Sequence, residues 1–287
     1  MDLTKEKTTK DSFFTPQADA DKFLSKAIMY DQEGIYLTWK TDQSILDKII
    51  PPEVKTSEGI VFCYIINVQK PSYGPRYTEA ALGVPCTCKG IQGLYWISFL
   101  LSGPGGEMAT YLGREMSGMP KKLADQISIR RAGGKAYAKV VRHGIELVDV
   151  KMDITGKYPN PTAENILGDP KPNDKSTGNS IFYRFSYGIS PQGKLDVFDN
   201  RFNQLTIKTL YHGFEKGTAK VKLTDSYEDP WAQLKINEFL GAGYFKGDVG
   251  MTSAKDLGQG DFKQTVPYML ASRYDKGVMG KNNQYFN

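Results

Sequence analysis

The chain of 287 residues carries 37 basic and 32 acidic side chains, a net charge of +5, and 40% apolar residues. Because the charges are mixed, with no basic run among aromatics and no zinc-finger spacing, we predict that the protein binds no nucleic acid. No apolar run has the length of a membrane span or a secretory signal, so we predict no membrane contact. One main domain over 1–287 is expected, with a polar N-terminal extension at 1–25 and a polar tail at 275–287.

The predicted elements begin with a short helix and then become mainly strands. Asp42 can cap a helix over 44–50, and a Pro-Pro pair ends it. Gly133-Gly134 is a two-residue hairpin signal between two short strand patterns. Alternating, β-branched or aromatic runs predict strands at 60–68, 94–101, 126–131, 135–142, 145–154, 181–187, 195–198, 205–211 and 218–223.

Two longer segments lie between or after these strands. Prolines, glycines and small polar residues predict a surface loop over 156–180. Apolar spacing favours a helix over 231–244. Many short strands with few helices predict a mainly β (α+β) protein folded as a barrel or a sandwich.

The segment at 103–106 is rich in glycine and could cradle an anion, but it lacks the Lys-Ser/Thr of a Walker motif and is better explained as a tight turn. An amphipathic helix is predicted over 107–115, and Pro120 ends it. Lys121 and Lys122 follow directly. Adjacent lysines are most often solvated surface groups, and the alternative is that one of them is an amine nucleophile.

Histidine and cysteine are scarce. His143 and His212 each precede a glycine in a turn-like sequence, so we predict structural or solvent-facing roles for both. Cys63, Cys86 and Cys88 make an odd count without an export signal, which favours reduced thiols and a cytoplasmic location. The spacing of the last two lacks the four ligands of a zinc site, so buried thiols are favoured over a metal site. We therefore predict no metal and no cofactor.

The sequences Arg76–Ala80 (Arg-Tyr-Thr-Glu-Ala) and Gly113–Met116 (Gly-Arg-Glu-Met), followed by Lys121-Lys122, resemble the acetoacetate decarboxylase superfamily. The resemblance implies an antiparallel β-barrel-like fold with a few short helices, a homo-oligomer, and a Schiff base on Lys121. It also implies that Lys122 is the second lysine of the catalytic pair. Glu79 becomes the carboxylate that orients the substrate or moves protons.

An amine nucleophile must be uncharged. A free lysine, with a pKa near 10.4, is neutral in only about one molecule in 2,500 at pH 7. Apolar burial or a nearby positive charge favours the neutral form. Neighbouring side chains on a strand point to opposite faces, so we predict that Lys122 lies away from the Lys121 amine and that apolar burial dominates. Candidates for the apolar lining, each alternatively a core residue, are Trp96, Phe99, Met116 and Met119.

Two positions depart from the family pattern when the chain is aligned on Thr41-Asp42. Gln32 stands where decarboxylases of the family carry an arginine, and Tyr64 stands where they carry a second glutamate. A guanidinium binds a carboxylate far better than an amide does, so the resemblance leaves decarboxylation competing with aldol or dehydration chemistry. Gln32 and Tyr64 are expected to contact the substrate, and Tyr64 is either a proton donor or a core tyrosine.

The prediction is thus a Schiff-base lyase that acts on a small oxo acid or ketone. The alternative from another functional class is a small-molecule-binding barrel that keeps the scaffold without the chemistry.

Overall fold

Residues 13–276 are described by the computed structural model, and most of them lie in β-strands. The helices are α1 (Gln17–Leu24), α2 (Gln43–Ile49), α3 (Gly106–Ser117), α4 (Thr162–Leu167) and α5 (Phe262–Leu270). The strands are β1 (Ala27–Lys40), β2 (Val54–Thr56), β3 (Ile60–Pro71), β4 (Tyr77–Cys88), β5 (Ile91–Ser102), β6 (Lys121–Leu123), β7 (Gln126–Ala132), β8 (Lys135–Arg142), β9 (Ile145–Ile154), β10 (Lys175–Ile189), β11 (Leu195–Leu223) and β12 (Glu238–Gln259). The predicted extension and tail lie partly outside the described residues, which begin at 13 and end at 276.

The strands form one large sheet, whose main path runs in the order β10-β5-β4-β3-β1-β12-β11-β9-β8-β7. Pairing is antiparallel except where β5 meets β10 and β6. Because β10 also pairs with β11, the seven strands from β10 to β11 return on themselves, while β9, β8 and β7 continue outward. The predicted mainly β, barrel-like architecture is confirmed, as one large sheet and not as a regular closed barrel.

Successive residues of the central strands alternate between two apolar layers, as the pleat of a strand requires. In β1, Ile35 and Leu37 belong to one buried cluster, while Tyr36 packs against the other. In β3, Ile65 and Ile66 are divided in the same way. The layer on the Tyr36 side of the sheet surrounds a cavity that Lys121 also lines.

Two of the predicted segments are wrong. The predicted loop over 156–180 contains α4 and, from Lys175, the start of β10. α4 has only 6 residues and the first four residues of β10 are exposed, so neither element has an apolar period that sequence reasoning can detect. The predicted helix over 231–244 is a 3₁₀ turn at Trp231–Gln233 followed by β12. β12 is buried between β1 and β11, and its continuous apolar run cannot be told from a buried helix by periodicity.

The three cysteines are buried free thiols, as predicted. Burial raises the pKa of Cys86 to about 12 and that of Cys88 to about 11, and it raises the pKa of Cys63 further. Such thiols hold their protons at neutral pH and are poor nucleophiles. Among the helices within 13–276, none has the length and apolar character needed to cross a bilayer.

Candidate active site

A cavity of about 710 Å³ lies between the sheet and helices α3 and α4, and most of its wall is apolar or aromatic. Of the seven predicted site residues, those that line it are Gln32, Tyr64, Glu79, Trp96, Met119 and Lys121. The seventh, Lys122, does not line it. The described charged side chains on the wall are Lys26, Glu79 and Lys121.

The end of α3 determines where Lys121 enters the cavity. Gly118 adopts a left-handed conformation (φ 70°) at the C-terminus of the helix. Its N–H donates to the carbonyl of Arg114 at 2.9 Å, and the N–H of Met119 donates to the carbonyl of Gly113 at 3.2 Å. This glycine-capped ending reverses the chain, so that β6 begins at Lys121 and pairs in parallel with β5.

Lys121, Glu79 and Tyr64 form a connected group in the cavity. The Lys121 Nζ lies 3.0 Å from Glu79 Oε2, and both side chains are less than a tenth exposed. The Tyr64 hydroxyl donates to Glu79 Oε1 at 2.5 Å. Burial, and then the charge of Glu79, raise the pKa of Tyr64 well above 10, so the phenol keeps its proton and serves as a hydrogen-bond donor.

The amine environment is less apolar than the sequence predicted. The Lys121 Nζ does lie 5.6 Å from the centre of the Phe99 ring, and Met119 is buried nearby on the same wall. However, the Nζ also contacts the Glu79 carboxylate and donates to the carbonyl of Ala109 at 3.3 Å. The amine thus lies between an aromatic ring on one side and two oxygen acceptors on the other.

Aromatic rings build the rest of the wall around the carboxylate. The Trp96 ring packs edge-on against Tyr64 at 5.3 Å and tilted against Phe99 at 5.1 Å, and its Nε1 donates to Ser180 Oγ at 2.9 Å. Tyr36 also lines the cavity, although the sequence did not single it out. Tyr36 could be recognised only from the register of β1 with β3, which pairs it with Tyr64. That register is not known before the sheet is known.

Lys122 points away from the cavity, as the strand alternation predicted. Its Nζ lies 3.1 Å from Asp229 Oδ1 and donates to the carbonyl of Glu228 at 2.9 Å. The side chain is 3% exposed and has no route to the substrate through the wall that Lys121 occupies. This geometry does not support the direct catalytic role that the lysine pair suggested for Lys122.

Behind the cavity, charged groups hold β6 in place. β6 pairs only with β5 among the described strands, and on its free edge Arg114 Nε donates to the carbonyl of Lys121 at 2.7 Å. Arg142 Nε donates likewise to the carbonyl of Leu123 at 2.7 Å. Asp229 pairs with both Arg142 (2.6 Å) and Lys122 (3.1 Å), so one buried carboxylate connects the two cations.

We expect Asp229→Asn to lower the free energy of unfolding by up to about 3 kcal/mol, because it removes the buried counter-charge of Lys122 and Arg142 and leaves them the partly exposed Asp275 at 3.4 and 2.8 Å. Urea denaturation measures the loss. The matched control is Asp153→Asn, which removes an exposed partner of Lys135 at 2.7 Å and should cost less than about 1 kcal/mol. Equal losses in the two variants would contradict the buried role of Asp229.

We expect Gly113→Ala to impair catalysis without loss of stability. A Cβ at position 113 would lie 2.8 Å from Lys121 Cε and 2.9 Å from Cδ, so the flexible lysine side chain must move. A shift of about 1 Å at a reacting group costs on the order of a hundredfold in rate, while alanine favours the helix by up to about 1 kcal/mol. Steady-state kinetics and thermal unfolding check both halves. The control is Gly106→Ala in the same helix, whose nearest contact would be 3.5 Å.

Both histidines lie outside the described cavity wall. His143 Nε2 lies 3.0 Å from Asp275, and His212 Nε2 lies 3.4 Å from Asp248. Asp31 is close enough to the second pair to share a cation with it, but its carboxylate already pairs with Lys70 at 2.6 Å. Their surface positions agree with the structural or solvent-facing roles that we predicted.

Comparison with known proteins assigns the scaffold. Residues 13–258 match the family model described as acetoacetate decarboxylase (ADC). The chain belongs to the acetoacetate decarboxylase family. A crystal structure of acetoacetate decarboxylase from Legionella pneumophila superposes with a TM-score of 0.66 at 19% identity, over 80% of this chain and 86% of that one. The fold of the acetoacetate decarboxylase family is therefore shared even where the sequences have diverged.

Two curated relatives differ in the extent of their similarity. The CLA biosynthesis isomerase of Lactiplantibacillus plantarum is 32% identical over 268 residues, which cover 92% of this chain and 95% of that protein. The acetoacetate decarboxylase of Clostridium acetobutylicum is 30% identical over 94 residues, which cover 33% of this chain and 37% of that protein. The chain thus matches an isomerase over nearly its full length and a decarboxylase over a third of it, within one family of enzymes.

Proposed function

We propose that this protein is a Schiff-base isomerase that moves a carbon–carbon double bond relative to the ketone of an apolar substrate. The observation that carries the proposal is the contact of Lys121 with Glu79 at 3.0 Å inside an apolar cavity of about 710 Å³. The full-length similarity to a protein named as an isomerase supports the same class of reaction.

The first half of the reaction forms an iminium. Lys121 passes a proton to Glu79, and its neutral nitrogen adds to the substrate ketone. The protonated Glu79 then returns the proton to the departing oxygen, so that one water leaves and a C=N bond forms. The Lys121–Glu79 pair thereby supplies both the amine that attacks the ketone and the acid that protonates the departing oxygen.

The second half moves the double bond. The iminium withdraws electrons, which makes a proton on a neighbouring carbon acidic, and the Glu79 carboxylate removes it to give a conjugated dienamine. Protonation at a different carbon shifts the C=C bond, and water then releases the ketone and restores the amine. Substrate and product are isomers, so no oxidant, reductant or leaving group is consumed. Tyr64, which stays protonated, keeps the carboxylate oriented by its hydrogen bond.

Decarboxylation of a short 3-oxo acid fits this cavity less well. The substrate carboxylate would need a cation close to the iminium, and Lys121 is the amine already paired with Glu79. Gln32, which is buried on the same wall, offers an amide and no charge. The cavity is also several times larger than a four-carbon oxo acid, and it falls in the range of sites for drug-sized or lipid-like molecules.

The test uses an apolar ketone whose double bond is one carbon removed from conjugation. We expect absorbance of the conjugated enone to change with enzyme, deuterium from D₂O to enter the product, and borohydride to trap an adduct on Lys121 that mass spectrometry locates. Release of carbon dioxide from acetoacetate, or condensation products from ketone and aldehyde, without any double-bond shift would contradict the proposal. Absence of an adduct with every ketone tested would favour the non-catalytic binding protein.

The homo-oligomeric state and the cytoplasmic location inferred from the sequence stay predictions. Light scattering and cell fractionation test them.

A further inference from the structure

The interior of the cavity, as residues 13–276 line it, offers no unpaired cation for a substrate carboxylate. Among the described residues of the wall, Glu79 is the anion, and the Lys121 Nζ pairs with it at 3.0 Å. The remaining polar groups there are hydroxyls and amides, such as Tyr36, Tyr64 and Gln32. A buried carboxylate without a cationic partner is strongly disfavoured, so an acidic substrate must place its charge elsewhere.

Lys26 supplies a cation at the edge of the same cavity. It is an exposed residue between α1 and β1, and it lines the cavity together with Phe23, Leu24 and Ala27. Its Nζ donates to the Tyr30 hydroxyl at 3.2 Å and forms no ion pair within residues 13–276. Phe23 and Leu24 are 38% and 76% exposed, so apolar side chains flank the ammonium group at the opening.

The register of the sheet gives the separation between this lysine and the reacting group. Gly34 in β1 pairs with Ile66 in β3, and Ile66 pairs with Glu79 in β4. Gly34 and Glu79 therefore lie at the same position along the strand direction. Lys26 precedes Gly34 by eight residues. The bulge near Asp31 takes one of these residues out of the regular strand. At about 3.3 Å per residue, Lys26 and Glu79 are therefore on the order of 20 Å apart along the strand direction.

We propose that Lys26 binds the carboxylate of an amphiphilic oxo acid whose ketone lies far along the chain and reaches Lys121. The charged end stays at the opening, where water and Lys26 solvate it, and the apolar chain fills the cavity. This inference rests on the proposed function, because it assumes that the ketone reacts at Lys121. In this arrangement the acid should keep its carbon dioxide, since a remote carboxylate is not adjacent to the iminium.

The experiment compares an acid with its ester. The probes are a saturated twenty-carbon oxo acid whose ketone lies about twelve carbons from the carboxylate, so that the extended chain and the Lys26 side chain together span the separation, and the methyl ester of that acid. For each we measure the dissociation constant by equilibrium titration and the yield of borohydride-trapped adduct at saturation, with the full chain and its Lys26→Gln variant. The matched control is Lys22→Gln, which removes an exposed lysine of α1 that does not line the cavity.

We expect Lys26→Gln to weaken binding of the acid about three- to fivefold, the scale of an exposed ion pair, and to leave the ester unchanged. The difference should shrink in high salt, and Lys26→Glu should weaken the acid further. The adduct yield at saturation should not change, because Lys26 does not touch the reacting atoms.

Equal weakening of acid and ester, or equal effects of Lys26→Gln and Lys22→Gln, would overturn the role of Lys26 and leave the proposed chemistry intact. Conversely, charge-dependent binding of the acid without any trapped adduct would overturn the proposed chemistry and support Lys26 as a carboxylate site.

Discussion

Lys121→Met should abolish the borohydride-trapped adduct and lower the rate of double-bond migration by on the order of 10⁴-fold or more, the scale found when an enzyme loses its covalent nucleophile. Methionine keeps an unbranched side chain in the same channel but offers no amine. Mass spectrometry of the reduced protein and the enone absorbance assay measure the two effects.

The matched control is Lys122→Met, one residue further along β6. This variant removes the ammonium that pairs with Asp229 on the other side of the strand, so it should lower stability while the adduct on Lys121 still forms. An adduct that persists in Lys121→Met, or that disappears only in Lys122→Met, would show that the wrong lysine has been assigned.

Glu79→Gln should separate imine formation from proton transfer. The amide has the shape of the carboxylate but cannot accept a proton from carbon, so we expect double-bond migration and deuterium uptake to fall by about 10²- to 10⁴-fold. The adduct should form more slowly but still be trapped after long incubation, because Glu79 speeds the proton transfers of imine formation whereas the attacking nitrogen belongs to Lys121.

A Tyr64→Phe variant serves as the comparison, since it removes the hydrogen bond to Glu79 and keeps the carboxylate. It should slow migration less than Glu79→Gln does. If Glu79→Gln slows adduct formation as much as it slows migration, then the role of Glu79 is confined to forming the imine and another group must move the proton between carbons.

The burial of the Lys121–Glu79 pair distinguishes it from the other ion pairs of the sheet. In a cavity with apolar walls the Lys121–Glu79 contact is shielded from solvent, so its Coulomb energy is larger than that of the exposed pairs on the sheet. The Tyr64 phenol, whose proton is retained, provides the carboxylate with a fixed donor. The proposed proton transfer would take place between two atoms that are 3.0 Å apart.

Several features were predictable from local sequence because they rest on short-range physics. Helix α3 follows from its amphipathic spacing, and its end follows from Pro120. The orientation of Lys122 away from Lys121 follows from the alternation of a strand. Those local rules were enough to place the two lysines on opposite faces.

Other features depended on partners that are distant in sequence. Asp229 lies 107 residues from Lys122, and Asp275 lies 133 residues from Arg142, so no local pattern connects them. The cross-strand contact of Tyr64 with Glu79 spans 15 residues and depends on the register of β3 with β4. The errors over 156–180 and 231–244 have the same origin, because burial on both faces or exposed polar strands removes the periodic signal.

The amino-acid sequence by itself determined the β-rich class, the position of Lys121 directly after helix α3, and the scarcity of histidine, which leaves lysine and carboxylate side chains as the candidates for polar chemistry. Tertiary structure alone decided that Glu79 lies against the Lys121 nitrogen, that Lys122 belongs to a structural ion network, and that Lys26 stands at the opening of a large apolar cavity. The physical reason is that the sheet pairs strands far apart in the chain, and only that register sets which charges meet.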